Sequence, residues 1–421
     1  MTRGTTRRQV LAALAAIGVA GCATRRGTQP RVVIVGGGFG GASCARALRD
    51  ADPNIDITLV EPNRRYLACP LSNLVIGGWR RLEQQAFSYA ALEARGIRVL
   101  ATRATDVDPV AKRVTMATGG VLDYDRLVMS PGVDLDFKGL PGYDAVAAQR
   151  MPHAWSAGAQ TLLLRRQLEA MPEGGTFAIV APDNPYRCPP GPYERASVVA
   201  HYLSEAKPRS KVLILDAKDR FSKQSLFLAD WRQRYGDQVT WQGRSDGARV
   251  VRVNADAGLV ETEFDTVRAD VTNVIPPQRA AGIAARAGVT DASGWCPVDA
   301  ASFASTQQND IHVLGDAAIA NAMPKSAFSA QAQGRLVAAQ ILLFFNGLPP
   351  VSTKLVNTCY SYLAPDSAVS IADVFRAEGQ RWLAVEGAGG VSALSATRED
   401  RRGEADAALR WFNTATAGAF G

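Results

Sequence analysis

One clear hydrophobic pattern near the start of the chain is a short apolar run that leads into a glycine-rich turn. Residues 31–35 are mostly β-branched, which is typical of a buried strand. Residues 36–41 include five glycines, and an alanine-rich stretch to about Leu48 then predicts a helix. A second apolar run over residues 55–60 predicts the next strand. This order of strand, turn, helix and strand predicts a βαβ unit.

The glycines of this turn have the spacing of a dinucleotide-binding motif. Gly36 permits the tight turn, Gly38 lets the backbone approach a pyrophosphate, and Gly41 allows the helix to pack closely. The first N–H groups of the helix would donate to the phosphates. Glu61 ends the second strand twenty residues after Gly41, where a carboxylate would accept ribose hydroxyls. We therefore predict that this unit binds a dinucleotide.

Two later segments favour FAD as that dinucleotide. Residues 124–132 resemble the strand and turn that close the first segment of the FAD domain in two-dinucleotide-domain flavoproteins, with Gly132 in the turn. Residues 311–316 resemble their late strand ending in Gly-Asp, and Asp316 would then bind the ribityl chain. A helix predicted to begin near residues 324–326 would direct its positive end toward the flavin pyrimidine.

Another α/β segment lies between these two and has the position of an NADH domain. Strands are predicted at residues 176–181 and 211–215, around a helix near residues 195–205. Residues 182–192 contain five prolines where a nucleotide site needs glycines. Proline has no N–H to offer a phosphate, so we do not expect nicotinamide to be the electron partner. Asp216 ends the second strand and is interpreted as structural.

These patterns predict an α/β protein with two Rossmann-like dinucleotide-binding domains, of glutathione-reductase-like architecture, and a C-terminal interface domain. Its 421 residues suit two to four domains. The predicted order is an export leader (1–22), the first segment of the FAD-binding domain (30–143), a middle domain lacking a nucleotide site (144–277), the second segment of the FAD-binding domain (278–350) and the C-terminal interface domain (351–421). Residues 398–406 alternate in charge and are interpreted as a solvated loop or helix face.

The leader resembles a twin-arginine export signal. Arg7 and Arg8 precede an apolar run over residues 10–20, which is too short for a permanent membrane span. The sequence ending at Cys22 also resembles a lipoprotein processing site, and ordinary cleavage a few residues later is an equal alternative. We expect a periplasmic protein, anchored through lipid if Cys22 is processed, with no integral membrane span in the mature chain.

Charge and histidine content argue against two classes of function. The net charge is +7, and loss of the three leader arginines leaves +4, which argues against nucleic-acid binding. The three histidines are far apart and no Cys-x-x-Cys pair accompanies them. We therefore expect no metal site and no haem within this chain.

The cysteines are the main candidates for redox chemistry. Cys44 lies on the first predicted helix and is interpreted as packing. Cys188 lies in the proline-rich loop and Cys359 some 170 residues later, so only the fold could bring them together. They would be either a structural disulfide between domains or a redox-active pair above the flavin.

Several unusual strings identify a family. The chain closely resembles, over essentially its whole mature length, the flavoprotein subunit of flavocytochrome c sulfide dehydrogenase. The strings are residues 69–73 (Cys-Pro-Leu-Ser-Asn), 75–78 (Val-Ile-Gly-Gly), 187–196 (Arg-Cys-Pro-Pro-Gly-Pro-Tyr-Glu-Arg-Ala), 275–279 (Ile-Pro-Pro-Gln-Arg), 294–299 (Gly-Trp-Cys-Pro-Val-Asp) and 357–360 (Asn-Thr-Cys-Tyr).

The resemblance implies sulfide oxidation by a redox disulfide and FAD. It implies that Cys69 holds the flavin 8-methyl group by a thioether, that Cys188 and Cys359 form the disulfide, and that a c-type cytochrome subunit carrying haem c accepts the electrons. Glu194, six residues after Cys188, would manage protons if burial raises its pKa, or would be a helix acid of local value. Cys296 matches a family position to which no catalytic role is assigned.

Two alternatives share this fold. A sulfide:quinone oxidoreductase would deliver electrons into a membrane and would need an apolar or amphipathic surface. The last seventy residues show no clear stretch of that kind. An accessory flavoprotein of a thiosulfate-oxidising system would have the same cofactor and turn over little sulfide.

Overall fold

The computed structural model describes residues 29–421, so the predicted leader and Cys22 lie outside the described residues. This range contains nine α-helices. They are α1 (Phe39–Ala51), α2 (Ser72–Gly77), α3 (Ala90–Ala94), α4 (Ala159–Ala170), α5 (Gly191–Ala206), α6 (Gln224–Tyr235), α7 (Gly282–Arg286), α8 (Ala327–Phe345) and α9 (Arg398–Phe420).

The strands fall into one group up to residue 274 and a second group after it. The first group is β1 (Arg31–Val35), β2 (Asp56–Val60), β3 (Arg65–Leu67), β4 (Ala86–Ser88), β5 (Arg98–Leu100), β6 (Ala104–Asp108), β7 (Arg113–Met116), β8 (Val121–Asp123), β9 (Arg126–Met129), β10 (Val133–Leu135), β11 (Thr176–Ala181), β12 (Lys211–Asp216), β13 (Val239–Gln242), β14 (Val250–Asn254), β15 (Leu259–Thr262), β16 (Thr266–Arg268) and β17 (Val271–Val274). The second group is β18 (Gln278–Ala280), β19 (Cys296–Pro297), β20 (Ile311–Val313), β21 (Ala318–Ile319), β22 (Lys354–Ala364), β23 (Ser367–Glu378), β24 (Arg381–Ala384) and β25 (Gly390–Val391).

A five-stranded parallel sheet forms the first domain, in the order β20–β9–β1–β2–β5. Its central strands are mostly buried, and their apolar residues share one core with α1, α8 and the antiparallel sheet β6–β7–β8. The predicted βαβ unit is confirmed, with α1 extending to Ala51, three residues past the expected end. Strand β20 returns to this sheet from late in the chain, which places Asp316 beside the first glycine-rich turn.

Three glycines allow the backbone to approach itself at this turn. Gly36 has a φ of +100°, and a Cβ there would lie 2.2 Å from the Ser130 carbonyl oxygen. A Cβ on Gly41 would lie 2.0 Å from the Gly36 carbonyl oxygen, so the predicted close packing of α1 is present. Helix α8 crosses α1 at Gly334, whose Cβ would meet the Gly40 carbonyl oxygen at 2.3 Å.

The middle domain is built on a four-stranded parallel sheet in the order β13–β12–β11–β17. The two strands predicted from the sequence are confirmed. Helix α5 begins at Gly191, four residues before the predicted start at Arg195. Pro190 and Pro192 explain this earlier start, because proline is tolerated at the first helical positions, where its missing N–H costs nothing.

The C-terminal segment is an antiparallel sheet of β22, β23 and β24, with β25 on β23, followed by α9. The charged stretch 398–406 is the beginning of that long helix and is not a loop. Thr397 caps it by accepting the Asp400 N–H at 3.1 Å. Helix α9 packs on α1 and β23, and β22 packs on α5 and α8. The segment therefore joins the two parallel-sheet domains.

The predicted domain limits stay predictions. The fold class itself is confirmed, because two parallel sheets with helices on their faces precede a separate antiparallel unit. The carboxyl ends of β1 and β9, the loop before α5 and the middle of β22 converge on one region, which is where parallel-sheet folds place ligands.

Candidate functional site

A cavity of about 310 Å³ lies where these elements converge. Nine of the ten residues predicted for the site contribute to its wall: Gly36, Gly38, Glu61, Cys69, Gly132, Cys188, Glu194, Asp316 and Cys359. The tenth, Gly41, lies behind the turn, where it allows the packing described above. The structure thus brings the predicted residues together, while their chemical roles stay predictions.

One end of the cavity has the features of a ribose and phosphate site. Glu61 accepts hydrogen bonds from the Gly37 N–H at 3.0 Å and from the Asn63 side chain at 2.8 Å. Gly38 is the N-cap of α1, so the free N–H groups of the first turn are directed at the cavity. The Tyr89 hydroxyl donates to the Gly37 carbonyl oxygen at 2.9 Å and holds the turn in place.

Asp316 lies close to this glycine-rich end, because β20 returns to the sheet beside β9. Its Oδ1 atom is buried and has no hydrogen-bond partner within residues 29–421. Burial raises the pKa of this carboxyl, while the positive charges of Arg187 and Lys325 oppose the shift. A buried acceptor without a donor is costly, and a ligand hydroxyl at the cavity wall would relieve that cost. The ribityl chain of FAD carries such hydroxyls, so these residues fit the cofactor.

Helix α8 begins at this end of the cavity. It starts at Ala327, as predicted from residues 324–326, and Ser326 caps it by accepting the Ser329 N–H at 3.0 Å. Ser326, Ala327 and Phe328 belong to the cavity wall. The partial positive charge of a 19-residue helix is therefore available to a ring bound there.

Three cysteines reach the cavity from different elements. Cys69 lies in the loop between β3 and α2 and is half-buried, and Cys359 lies within β22. Cys188 precedes α5 with a positive φ of 58°, held by its N–H bond to the Lys325 carbonyl oxygen at 2.9 Å. Cys188 and Cys359 are both free thiols in this structure, so their disulfide stays a prediction.

The environment disfavours a thiolate at Cys188. The cavity gives solvent access to this side chain, but protein surrounds it otherwise. Burial, together with the negative charge of Glu194 and a thiolate at Cys359, raises the pKa of Cys188 to about 12, against the opposing effect of Arg187. A free Cys188 is therefore protonated near neutral pH.

Glu194 is more than a local helix acid. It is buried and accepts the Tyr362 N–H from β22 at 2.9 Å and the Asn73 side-chain amide from α2 at 2.7 Å. Burial raises the pKa of Glu194, and these two hydrogen bonds oppose the shift. Arg195 fixes the amide by donating to the Asn73 Oδ1 atom at 3.0 Å. The carboxyl is thus held by three elements at the cavity wall.

Sequence reasoning missed four polar residues of this site. Asn73, Arg195 and Asn357 fall inside the family strings, yet their spacing along the chain carries no sign of their function. Lys223 lies in no motif and enters the site from the residue before α6. Only the family strings could have drawn attention to the first three.

The middle domain has no room for a nucleotide ribose at Asp216. This fully buried carboxylate accepts bonds from the Tyr193 hydroxyl at 2.6 Å, the Trp241 ring N–H at 3.0 Å and the Lys218 ammonium at 2.6 Å. Phe221 stacks on Tyr193 with 3.6 Å between ring centroids. The structural interpretation of Asp216 is supported, because protein groups already occupy its acceptor positions.

Three family descriptions match successive stretches of the chain. Residues 30–164 match the pyridine nucleotide-disulphide oxidoreductase family. Residues 161–276 match the central region of the sulfide dehydrogenase (flavocytochrome c) flavoprotein chain, and residues 351–420 match the flavin-binding region of flavocytochrome c sulphide dehydrogenase. The flavoprotein chain of this enzyme from Chlorobaculum thiosulfatiphilum is 62% identical over 45 residues, which are 11% of this chain and 94% of that sequence.

The chain belongs to this family of flavocytochrome c sulfide dehydrogenase flavoprotein chains. It is also 22% identical, over 311 residues, to the mitochondrial sulfide:quinone oxidoreductase of Mus musculus. That alignment covers 68% of this chain and 65% of the mouse protein, which is less than two thirds of its length. The solved sulfide:quinone oxidoreductase of Aquifex aeolicus shares the fold, with a TM-score of 0.71 at 18% identity, covering 93% of this chain and 92% of that one.

Membrane-spanning helices and metal clusters are both absent from residues 29–421. No helix there is long and apolar enough to cross a membrane. No group of three or more His, Cys, Asp or Glu side chains in the same range could hold a metal ion.

Proposed function

We propose that this flavoprotein oxidises sulfide through a Cys188–Cys359 disulfide and FAD and passes the electrons to a c-type cytochrome subunit. The observation that carries the proposal is the meeting of both cysteines with Glu194 and the unpartnered Asp316 on one cavity. Membership in the sulfide dehydrogenase flavoprotein family supports the same substrate.

The cavity residues would hold FAD along its length. The first turn of α1 and Glu61 would bind the phosphates and the adenosine ribose, and Asp316 would bind the ribityl hydroxyls. Cys69 would attach the ring through a thioether, which its place on the cavity wall allows. FAD bound there would accept an electron pair from the cysteine sulfurs and pass single electrons onward.

The cysteines would convert sulfide in two balanced steps. Hydrosulfide attacks one sulfur of the disulfide, so that a new S–S bond forms a persulfide and the other cysteine leaves as a thiolate. The hydrosulfide proton goes to Glu194, because burial raises the pKa of this carboxyl and so strengthens it as a proton acceptor. Two-electron oxidation of the persulfide and thiolate together then re-forms the Cys188–Cys359 disulfide and releases zero-valent sulfur, and bound FAD would accept the electron pair.

A c-type cytochrome is the proposed acceptor, and a quinone is the second candidate. The flavocytochrome name of the matching family favours the cytochrome, with the haem on the partner subunit. Relatives named sulfide:quinone oxidoreductase favour the quinone. We place the reaction in the periplasm on the strength of the leader sequence. Steady-state assays with sulfide and either cytochrome c or a soluble quinone decide between the two acceptors. Faster reduction of the quinone would contradict the proposal that a cytochrome is the acceptor.

The disulfide chemistry has a direct test in Cys188→Ser and Cys359→Ser, each purified with bound flavin. We expect both variants to lose flavin reduction by sulfide while dithionite still reduces the flavin, because only sulfide needs the S–S bond. Stopped-flow absorbance measures both rates. Flavin that stays with the denatured parent protein but not with denatured Cys69→Ser would support attachment at Cys69.

Cys44→Ala is the matched control, because Cys44 is a fully buried thiol outside the cavity. This variant should keep the parent rate with sulfide. If Cys188→Ser or Cys359→Ser also keeps that rate, the pair is a structural disulfide and the proposed mechanism is wrong.

A further inference from the structure

Asn357 holds its side-chain amide against the sulfur of Cys359. Its Nδ2 atom lies 3.3 Å from the Cys359 Sγ atom, and the side chain is buried, with 1% of its surface exposed. Its Oδ1 atom accepts the Ser326 hydroxyl at 2.5 Å and the Ser329 hydroxyl at 3.1 Å. Since two hydroxyls at the start of α8 donate to the oxygen, the NH₂ group faces the sulfur. A donor in that position favours a thiolate over a thiol.

Lys223 brings a positive charge to the same cysteine. Its ammonium donates to the Cys359 carbonyl oxygen at 2.9 Å, and only 7% of the residue is exposed. Among residues 29–421 no carboxylate lies within 4.0 Å of it. A buried ammonium without an adjacent carboxylate is costly, and a nearby thiolate would reduce that cost.

The other charges around this point are few. Burial lowers the pKa of Lys223, and negative charge at Cys359, Glu194, Cys188 and Glu404, in that order, opposes the shift. The positive charge of Arg187 favours negative charge at Cys188. Glu194 therefore acts against a thiolate at Cys188, whereas Lys223 and Asn357 both contact the residue Cys359 directly.

We propose that Asn357 and Lys223 are positioning residues that stabilise the thiolate of Cys359. This inference rests on the proposed function, in which one cysteine must leave as a thiolate when the disulfide opens. A better-stabilised thiolate is the better leaving group, so sulfide attacks Cys188 and Cys359 is released. Ser326 and Ser329 act indirectly, because they orient the Asn357 amide.

The test measures how readily Cys359 ionises in the full-length protein with flavin bound. Cys188→Ser serves as the parent, so that Cys359 cannot form its disulfide. The rate of Cys359 alkylation by iodoacetamide is followed from about pH 5 to pH 10 by mass spectrometry of the Cys359 peptide, since only the thiolate reacts. Adding Asn357→Leu or Lys223→Met should move the midpoint upward by roughly one pH unit.

Two further variants distinguish the effects of charge and of hydrogen-bond donation from the effect of changing the side-chain shape. Asn357→Asp keeps the shape but turns an oxygen toward the sulfur, so it should shift the midpoint upward at least as far as leucine does. Lys223→Arg keeps the charge and should stay close to the parent. Asn346→Leu, the same exchange at an exposed position, should leave the midpoint unchanged. Asn357→Asp also keeps the test decisive if the leucine variant fails to fold.

Unchanged midpoints in Asn357→Asp and Lys223→Met would overturn the inference. Sulfide turnover does not enter this measurement, so the two proposals can fail separately. Shifted midpoints in a protein that does not oxidise sulfide would leave the inference standing and remove the proposed function.

Discussion

The buried Asp316 carboxyl lowers the stability of the flavin-free protein, and we expect the same carboxyl to bind flavin hydroxyls when flavin is present. Its buried Oδ1 atom has no donor among the described residues, and burial raises the pKa of the carboxyl. In the pH range above the usual carboxyl pKa, the folded state holds this proton more tightly than the unfolded chain does. Stability linked to Asp316 is therefore present at low pH and is lost as pH rises through the raised pKa.

Asp316→Asn should remove this dependence. Without flavin, in a Cys69→Ser background, the gain in unfolding free energy over the parent should grow as the pH rises above the usual carboxyl pKa, because the amide does not ionise. With flavin, affinity should fall about tenfold, since a neutral acceptor binds hydroxyls more weakly than a carboxylate. Urea unfolding across pH and flavin titration measure the two effects.

The control for this exchange is Asp237→Asn, which changes an exposed aspartate without burial. Its stability difference from the parent should not follow the same pH trend. A pH-independent difference for Asp316→Asn would mean that the nearby cations Arg187 and Lys325 already cancel the cost of its charge.

At the scale of elements, the site depends on how closely α8 approaches α1. The two helices cross where Gly334 meets the backbone of Gly40, with no space for a side chain. Gly40 belongs to the turn of the cavity wall, and Ser326, which caps α8, also lines this cavity. The crossing therefore fixes how the N-terminal ends of the two helices are placed at the site.

Gly334→Ala should destabilise the protein and weaken flavin binding. The added Cβ would lie 2.3 Å from the Gly40 carbonyl oxygen, which is backbone and can yield only if the helices separate. We expect a loss of about 1–3 kcal/mol in unfolding free energy, the usual cost of overpacking. Urea unfolding with and without flavin is the measurement.

Gly403→Ala is the matched control, since Gly403 lies within α9 and a Cβ there meets nothing within 4 Å. That exchange should stabilise the protein by up to about 1 kcal/mol through helix propensity. Equal effects of the two exchanges would show that the crossing tolerates a side chain.

At the scale of the whole molecule, the two parallel-sheet domains contribute differently to the cavity. The first presents an open turn and free N–H groups at the cavity, whereas the second fills the corresponding place with Tyr193, Phe221 and Trp241 around Asp216. The proline-rich loop of the second domain extends into the cavity of the first and carries Cys188 there. The middle domain thus supplies a cysteine to the cavity of the first domain.

NADH should therefore not reduce the flavin. We expect the flavin absorbance of the anaerobic protein to persist with excess NADH and to bleach on addition of sulfide, because Asp216 has no acceptor position left for a ribose. Stopped-flow spectroscopy compares the two donors. Reduction by NADH at a rate comparable with sulfide would contradict the prediction and favour an NADH-dependent disulfide reductase.

Much of the fold follows from patterns confined to short stretches of sequence. Strand ends are indicated by the apolar run before Gly36, by the acidic residue Glu61 and by the Gly-Asp pair at Asp316. Short stretches can indicate them because strand and turn chemistry depend on neighbours in the chain. Helix starts are less well determined. Helix α5 begins earlier than its apolar pattern indicates, since prolines favour the first turn without adding periodicity.

Most of the polar network of the site was decided by the tertiary structure, although the sequence already indicated Glu194. Asn73, Glu194, Lys223 and Asn357 come from α2, α5, the start of α6 and β22, and they meet only because β22 crosses α5 and α8. No local pattern encodes such a crossing, because it results from burying apolar faces far apart in the chain. The sequence by itself therefore determined the dinucleotide turn and the redox-capable cysteines, and only the packing of distant elements determined which polar groups act on those cysteines.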